Sequence, residues 1–166
     1  MKNRQIKRLA LSALLAAVML MLGYVESLVP TGIPGVKLGL SNSVLILAIC
    51  WLGIPAAFAL MLVKVFLSGF LFSGVSAMMY ALAGGALSMI AMSVLYRLGF
   101  SLRAAAIAGA VLHNVGQVAM AMWILRTDGL VWYMGILMLV GLVTGFVTGT
   151  IAQVLDKRMP KSLLPK

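Results

Sequence analysis

The stretch that decides the fold is PAAFALMLVKVFLSGFLF, residues 55–72, which holds a single charge, Lys64. Eighteen or so apolar residues in a row are what a helix needs to cross the hydrocarbon core of a bilayer. Comparable runs lie on both sides. Working outward, apolar segments at 9–25 and 38–52 precede it, and segments at 75–96, 104–125 and 130–155 follow. The breaks between them carry turn chemistry. Gly53 and Pro55 close one helix and open the next, Ser73–Gly74 makes a tight turn, and Arg126–Gly129 reads as a loop. The sequence predicts an all-α integral membrane protein, a compact bundle of six transmembrane helices forming one membrane domain over residues 1–166.

Composition agrees. Of the 166 residues, 63% are hydrophobic and 10% charged, against about 25% charged in average soluble domains. A soluble chain of this length would expose that apolar surface to water. The net charge of +10 comes from 13 Lys and Arg against three acids. In a soluble protein it would suggest nucleic acid; here the cations cluster at helix ends, so no nucleic-acid partner is expected. With the N-terminus inside, Lys2, Arg4, Lys7, Arg8, Arg97, Arg103, Lys157, Arg158, Lys161 and Lys166 fall on the cytoplasmic side, and only Lys37 and Arg126 lie outside. The positive-inside rule therefore predicts a multi-pass protein of the cell membrane with both termini cytoplasmic. The first helix has the basic start of a signal peptide but no clean cleavage site, and is expected to be retained. Cys50, the sole cysteine, lies in an apolar run and reads as a small core or lipid-facing residue.

Polar residues at membrane depth are the candidates for function. Lys64 sits mid-helix, where a charge costs about 2.5–3.5 kcal/mol on insertion scales. It either snorkels, joins a structural ion pair, or faces a cavity. His113, Asn114 and Gln117 lie mid-helix in AGAVLHNVGQVAMAM, with His113 and Gln117 on one face. Interhelical hydrogen bonding explains such residues, and so does a polar ligand pocket. Lys64 and His113 are each about nine residues into helices running the same way, hence at similar depth, roughly 14 Å from the inner end. That places the expected pocket floor there. Glu26, Lys37 and Asn42 are expected at its external mouth, with Tyr80 towards the same face and the Pro- and Gly-rich segment 26–37 as a lid or a plain surface turn. Ala13 and Ala17 form a small-residue stripe on the first helix, and Gly141, Gly145 and Gly149 another on the last. Such stripes permit close helix packing.

The absences matter too. Three acids in the whole chain cannot build the aspartate-rich magnesium site of polyprenyl synthases. No glycine loop ending in Gly-Lys-Ser/Thr is present, and no Cys/His cluster suggests zinc. No metal and no cofactor are expected, and the chain does not read as an enzyme on its own.

Three blocks, ESLVPTGIPGVKLGLSNSVLIL (26–47), YALAGGALSM (80–89) and GAVLHNVGQV (109–118), resemble the Gx transporter family, also labelled heptaprenyl diphosphate synthase component I. That family is similar in size and topology to the substrate-binding S components of energy-coupling factor transporters. The resemblance implies a subunit that binds a small vitamin-like or isoprenoid-related molecule and couples to a membrane scaffold subunit with two ATPases. It implies that Ala13 and Ala17 meet the scaffold and that the first external loop closes the pocket. The family's other label implies an accessory role beside a prenyl synthase.

Overall fold

A computed structural model describes residues 2–29, 40–160 and 162–165. Among them the structure is all helix: α1 (Lys2–Ser27), a 3-10 turn (Leu40–Ser43) leading into α2 (Val44–Leu52), α3 (Ile54–Ser68) running into a π-helical turn (Gly69–Ser73), α4 (Gly74–Arg97), α5 (Leu102–Leu125) and α6 (Val131–Arg158).

Four helical stretches are long and apolar enough to cross a membrane: Asn3–Ser27, Ile54–Arg97, Leu102–Leu125 and Val131–Arg158. The sequence predicts six, and the difference has two sources. The first is Ile54–Arg97, which is continuous in hydrogen bonding but not straight. Gly74 takes φ +81°, and the chain doubles back there. A Cβ built on Gly69 would lie 3.0 Å from Met78, and one on Gly85 would lie 2.9 Å from the Met61 sulfur. Residues 61 and 85 would stand about 36 Å apart in a straight helix, so α3 and α4 form an antiparallel hairpin. The second is Leu40–Leu52, which is apolar but short. At about 1.5 Å per residue it spans roughly 20 Å, about two thirds of a bilayer core.

Contacts sort the helix ends. Lys7 Nζ donates to the Ser162 carbonyl at 2.7 Å and Arg8 to the Leu52 carbonyl at 3.4 Å. The N-terminus, the C-terminal tail and the end of α2 therefore share one end of the bundle. Arg103, at the start of α5, lies beside Gly149 near the end of α6. At the opposite end Tyr24 meets Phe72 edge-to-face, ring centroids 5.5 Å apart. Local signals fix several boundaries. The Ser101 hydroxyl caps α5 by accepting from the Ala104 N–H at 3.2 Å, and Arg126, in the left-handed region at φ +49°, ends it.

The main hydrophobic core is centred on α2, from Val44 to Leu52, with Met19 of α1, Met61 and Val65 of α3 and Met92 of α4 around it, while α5 packs between α4 and α6. Gly141, Gly145 and Gly149 face α5, where added Cβ atoms would come within 3.0 Å of Asn114 Nδ2, 2.7 Å of Ile107 Cα and 2.8 Å of Ala106 Cβ. This stripe packs the bundle itself. Ala13 and Ala17 do the reverse: they lie exposed on the outer face of α1, while Leu15 and Met19 point into the core.

Candidate functional site

Asn42, in the turn before α2, is the hub. It lies ten residues from Leu52, about 15 Å above the termini end; Lys64 lies ten residues into α3 and His113 eleven into α5. All three are therefore level, and all three are buried. Their side chains meet. Lys64 Nζ donates to Asn42 Oδ1 at 2.7 Å, Asn42 Nδ2 contacts His113 Nδ1, and the Gln117 side-chain amide contacts His113 Nε2.

An ammonium only donates, so Asn42 must offer its oxygen to Lys64 and its NH2 to the imidazole. His113 Nδ1 is then the acceptor of the Asn42 amide, and its Nε2 meets the Gln117 amide. The result is a buried chain, Lys64–Asn42–His113–Gln117, linking α3, the start of α2, and α5. Such chains polarise along their length and resist piecemeal substitution.

Placing Asn42 in this chain corrects the expectation that it sits at the mouth, above Lys64 and His113. The reason is that α2 is short: its first turn starts in the interior rather than at the far surface. An irregular chain start at that level leaves free backbone N–H groups, which are costly unless satisfied. Glu26 satisfies them. Its carboxylate accepts from the Leu40 N–H at 2.5 Å and the Ser41 N–H at 3.3 Å. It is 1% exposed, so it is a buried cap at the positive end of α2, where the sequence reading expects it at the external mouth. Lys37 lies outside the described residues, as does most of the segment expected to act as a lid. The Lys64 Cε and Ser41 both lie against Gly23, where an added Cβ would be 3.9 Å from each. The ammonium of Lys64 and the carboxylate of Glu26 are thus held on neighbouring residues, Asn42 and Ser41. The Ser41 hydroxyl, also buried, has no hydrogen-bond partner among the described residues.

Two predicted residues point elsewhere. Asn114 is next to His113 but turned towards α6, donating to the Leu137 carbonyl at 2.6 Å; its Oδ1 has no partner among the described residues. Tyr80 is buried in a separate apolar cluster with Val118, Ala121 and Leu137.

The sequence reading also misses the fastening at the other end of α2. The Asp156 carboxylate accepts from Trp51 Nε1 at 2.8 Å and from the Cys50 thiol at 3.2 Å. Cys50 is therefore a donor in a clamp between α2 and α6, rather than a bystander. One of only three acids, placed near a helix end in a basic tail, was the available signal. With Glu26 at its start and Asp156 and Arg8 at its end, α2 is tied at both ends. No group of three His, Cys, Asp or Glu side chains suited to a metal occurs among the described residues. The site brings together a cation, amides and an imidazole, all buried.

The sequence model of a family described as heptaprenyl diphosphate synthase component I matches residues 15–155. No curated protein and no solved structure matches the chain.

Proposed function

The chain belongs to the heptaprenyl diphosphate synthase component I family, and from that premise we propose that it is the substrate-binding membrane subunit of an energy-coupling factor type importer, taking up a small vitamin-like or isoprenoid-related molecule. The observation that carries this reading is the short α2, whose start is embedded among Glu26, Lys64, Asn42 and His113 at mid-bundle level. Interrupted helices that begin inside a membrane bundle are the usual way to offer polar groups to a ligand there. Buried ionisable residues are costly and are kept where they serve a pathway or a site. On this reading the pocket opens at the end opposite the termini, above Asn42. Lys64, His113 and Gln117 form its floor, Glu26 holds the start of α2, and Asn114 and Tyr80 stiffen its α5–α6 and α4–α5 walls. Lys37 belongs to the covering segment.

The same reading counts six passes. The α3–α4 hairpin supplies two, and the segment that ends in Leu40–Leu52 supplies one. Both termini share one end, which the basic residues assign to the cytoplasm. In a Cys50→Ser background, Thr127→Cys is expected to react with an impermeant thiol reagent in intact cells and Ser162→Cys only after lysis. The reverse pattern would invert the topology.

The ligand is tested by mass spectrometry of small molecules released from the purified protein. Wild type is expected to yield one enriched compound. Lys64→Met and His113→Ala, each removing a buried polar contact, are expected to lower its yield about tenfold or more. Undiminished yield from both folded variants would return these residues to a structural role. A partner is tested on the exposed side of α1, where Ala13→Trp or Ala17→Trp is expected to block assembly with a scaffold subunit and its ATPases while leaving the bundle folded. Normal co-purification of both variants would place the contact elsewhere.

The family's description favours a second reading, a membrane accessory subunit of a heptaprenyl diphosphate synthase. Co-purification with a prenyl synthase, with a gain in its activity, in place of an ATPase module would select it.

A further inference from the structure

An apolar groove of about 460 Å³ runs between α1, α2 and α6. Leu14 and Val18 of α1, Leu47 and Trp51 of α2, and Ile151 and Leu155 of α6 line it. Its one polar lining residue, Thr148, has its hydroxyl turned back onto the Thr144 carbonyl at 2.6 Å. The groove opens sideways, since Leu14, Val18, Ile151 and Leu155 are exposed. It is distinct from the Ala13 and Ala17 face. At about 100° per residue those two point more than a quarter turn away from the centre of the groove wall, which lies between Val18 and Leu22.

Two features identify an occupant. The first is length. On α6 the lining runs from Thr148 to Met159, about 16 Å along the axis. That equals the depth of one leaflet of hydrocarbon, roughly half of 30 Å. Among the described residues the groove reaches from mid-bundle, at Leu40 and Leu22, to the termini end. The second is charge. Exposed Arg8 and Arg158 flank its lower mouth, each less than a quarter turn round its helix from the lining residues, and Arg8 also reaches the Leu52 carbonyl there. The one acid there, Asp156, is taken up by Trp51 and Cys50. Chain length and cationic mouth thus coincide at one leaflet. We propose that this groove holds one acyl chain of an anionic phospholipid from the leaflet at the termini end, with its phosphate held by Arg8 and Arg158. Basic mouths between helices are known to favour anionic headgroups, at roughly 1 kcal/mol per cation, which is several-fold in retention for each. The proposal stands apart from the importer reading, since it uses none of the Lys64 and His113 residues.

The test uses the full chain in nanodiscs of equal phosphatidylglycerol and phosphatidylcholine, followed by native mass spectrometry after gentle release. Wild type is expected to retain about one phosphatidylglycerol per protein, about tenfold or more over phosphatidylcholine. The variant Arg158→Gln is expected to lose that preference several-fold while keeping its fold. Ile151→Trp or Val18→Trp, at exposed lining positions, is expected to fill the groove and abolish retention of either lipid. Equal retention of the two lipids by wild type, or retention unchanged by both tryptophan variants, overturns the proposal. So does a result in which the tryptophan variants lose a protein partner and keep phosphatidylglycerol, which would make the groove a docking surface.

Discussion

Gly116→Ala and Gly84→Ala are each expected to destabilise the bundle by about 3 kcal/mol, at the upper end of what overpacking costs. The helices α4 and α5 touch backbone to backbone at these positions. A Cβ on Gly116 would lie 2.8 Å from Gly84 Cα and 2.9 Å from the Ala83 carbonyl oxygen. A Cβ on Gly84 would lie 2.5 Å from the His113 carbonyl oxygen and 2.8 Å from His113 Nδ1. No rotamer change relieves a clash with backbone, so the two helices must separate. Separation at Gly84 also moves the imidazole that Asn42 holds. The Gly84 variant should therefore lose ligand recovery together with stability. Gly135→Ala is the control: an added methyl meets nothing within 4 Å in α6, and alanine is favoured over glycine in a helix by up to about 1 kcal/mol. Unfolding in mixed micelles with increasing denaturing detergent measures all three. Equal stability of the Gly84, Gly116 and Gly135 variants would mean the α4–α5 crossing is looser than described.

Much of this architecture is legible in the residues. Apolar runs broken by Gly53, Pro55, Gly74 and Arg126 announce helices and their ends, and a lysine at 64 inside such a run announces an unusual environment. What hydropathy does not convey is where along the bundle a helix begins. The residues LGLSNSVLIL read equally well as a helix entering from the far surface and as one starting mid-bundle. The second is what occurs, and it moves Asn42 from rim to hub. Glu26 is misplaced for a related reason. Beside a Pro- and Gly-rich segment it reads as a residue of the external mouth, yet its partners are backbone amides fourteen and fifteen residues on, and backbone amides leave no trace in a sequence. Periodicity puts His113 and Gln117 together, as observed. It is silent on which neighbour Asn114, one residue and about 100° away, will face. The same holds for small-residue stripes. Those on α1 and α6 look alike, and only packing shows that one is buried against α5 and the other exposed.

Glu26→Ala is expected to be the most damaging single change outside the glycines. It removes the acceptor of two backbone N–H groups at the start of α2 and leaves the buried ammonium of Lys64 without a compensating negative charge in its cluster. Breaking a buried charge arrangement from one side costs about 3–5 kcal/mol. A stranded N–H costs about 1–3 kcal/mol on its own. The two contributions separate experimentally. Glu26→Gln keeps an acceptor oxygen for one N–H but discards the charge. If the charge dominates, Glu26→Gln should fall close to Glu26→Ala. If capping dominates, it should recover most of the stability. Adding Lys64→Met distinguishes the cases further. Removing both charges leaves no stranded ion, so Glu26→Gln/Lys64→Met is expected to be more stable than the sum of the single losses predicts, by about 1–3 kcal/mol. Strict additivity would show that the carboxylate and the ammonium do not sense each other across Ser41 and Asn42. In that event Glu26 serves α2 alone, and the charge of Lys64 is balanced by a group other than Glu26.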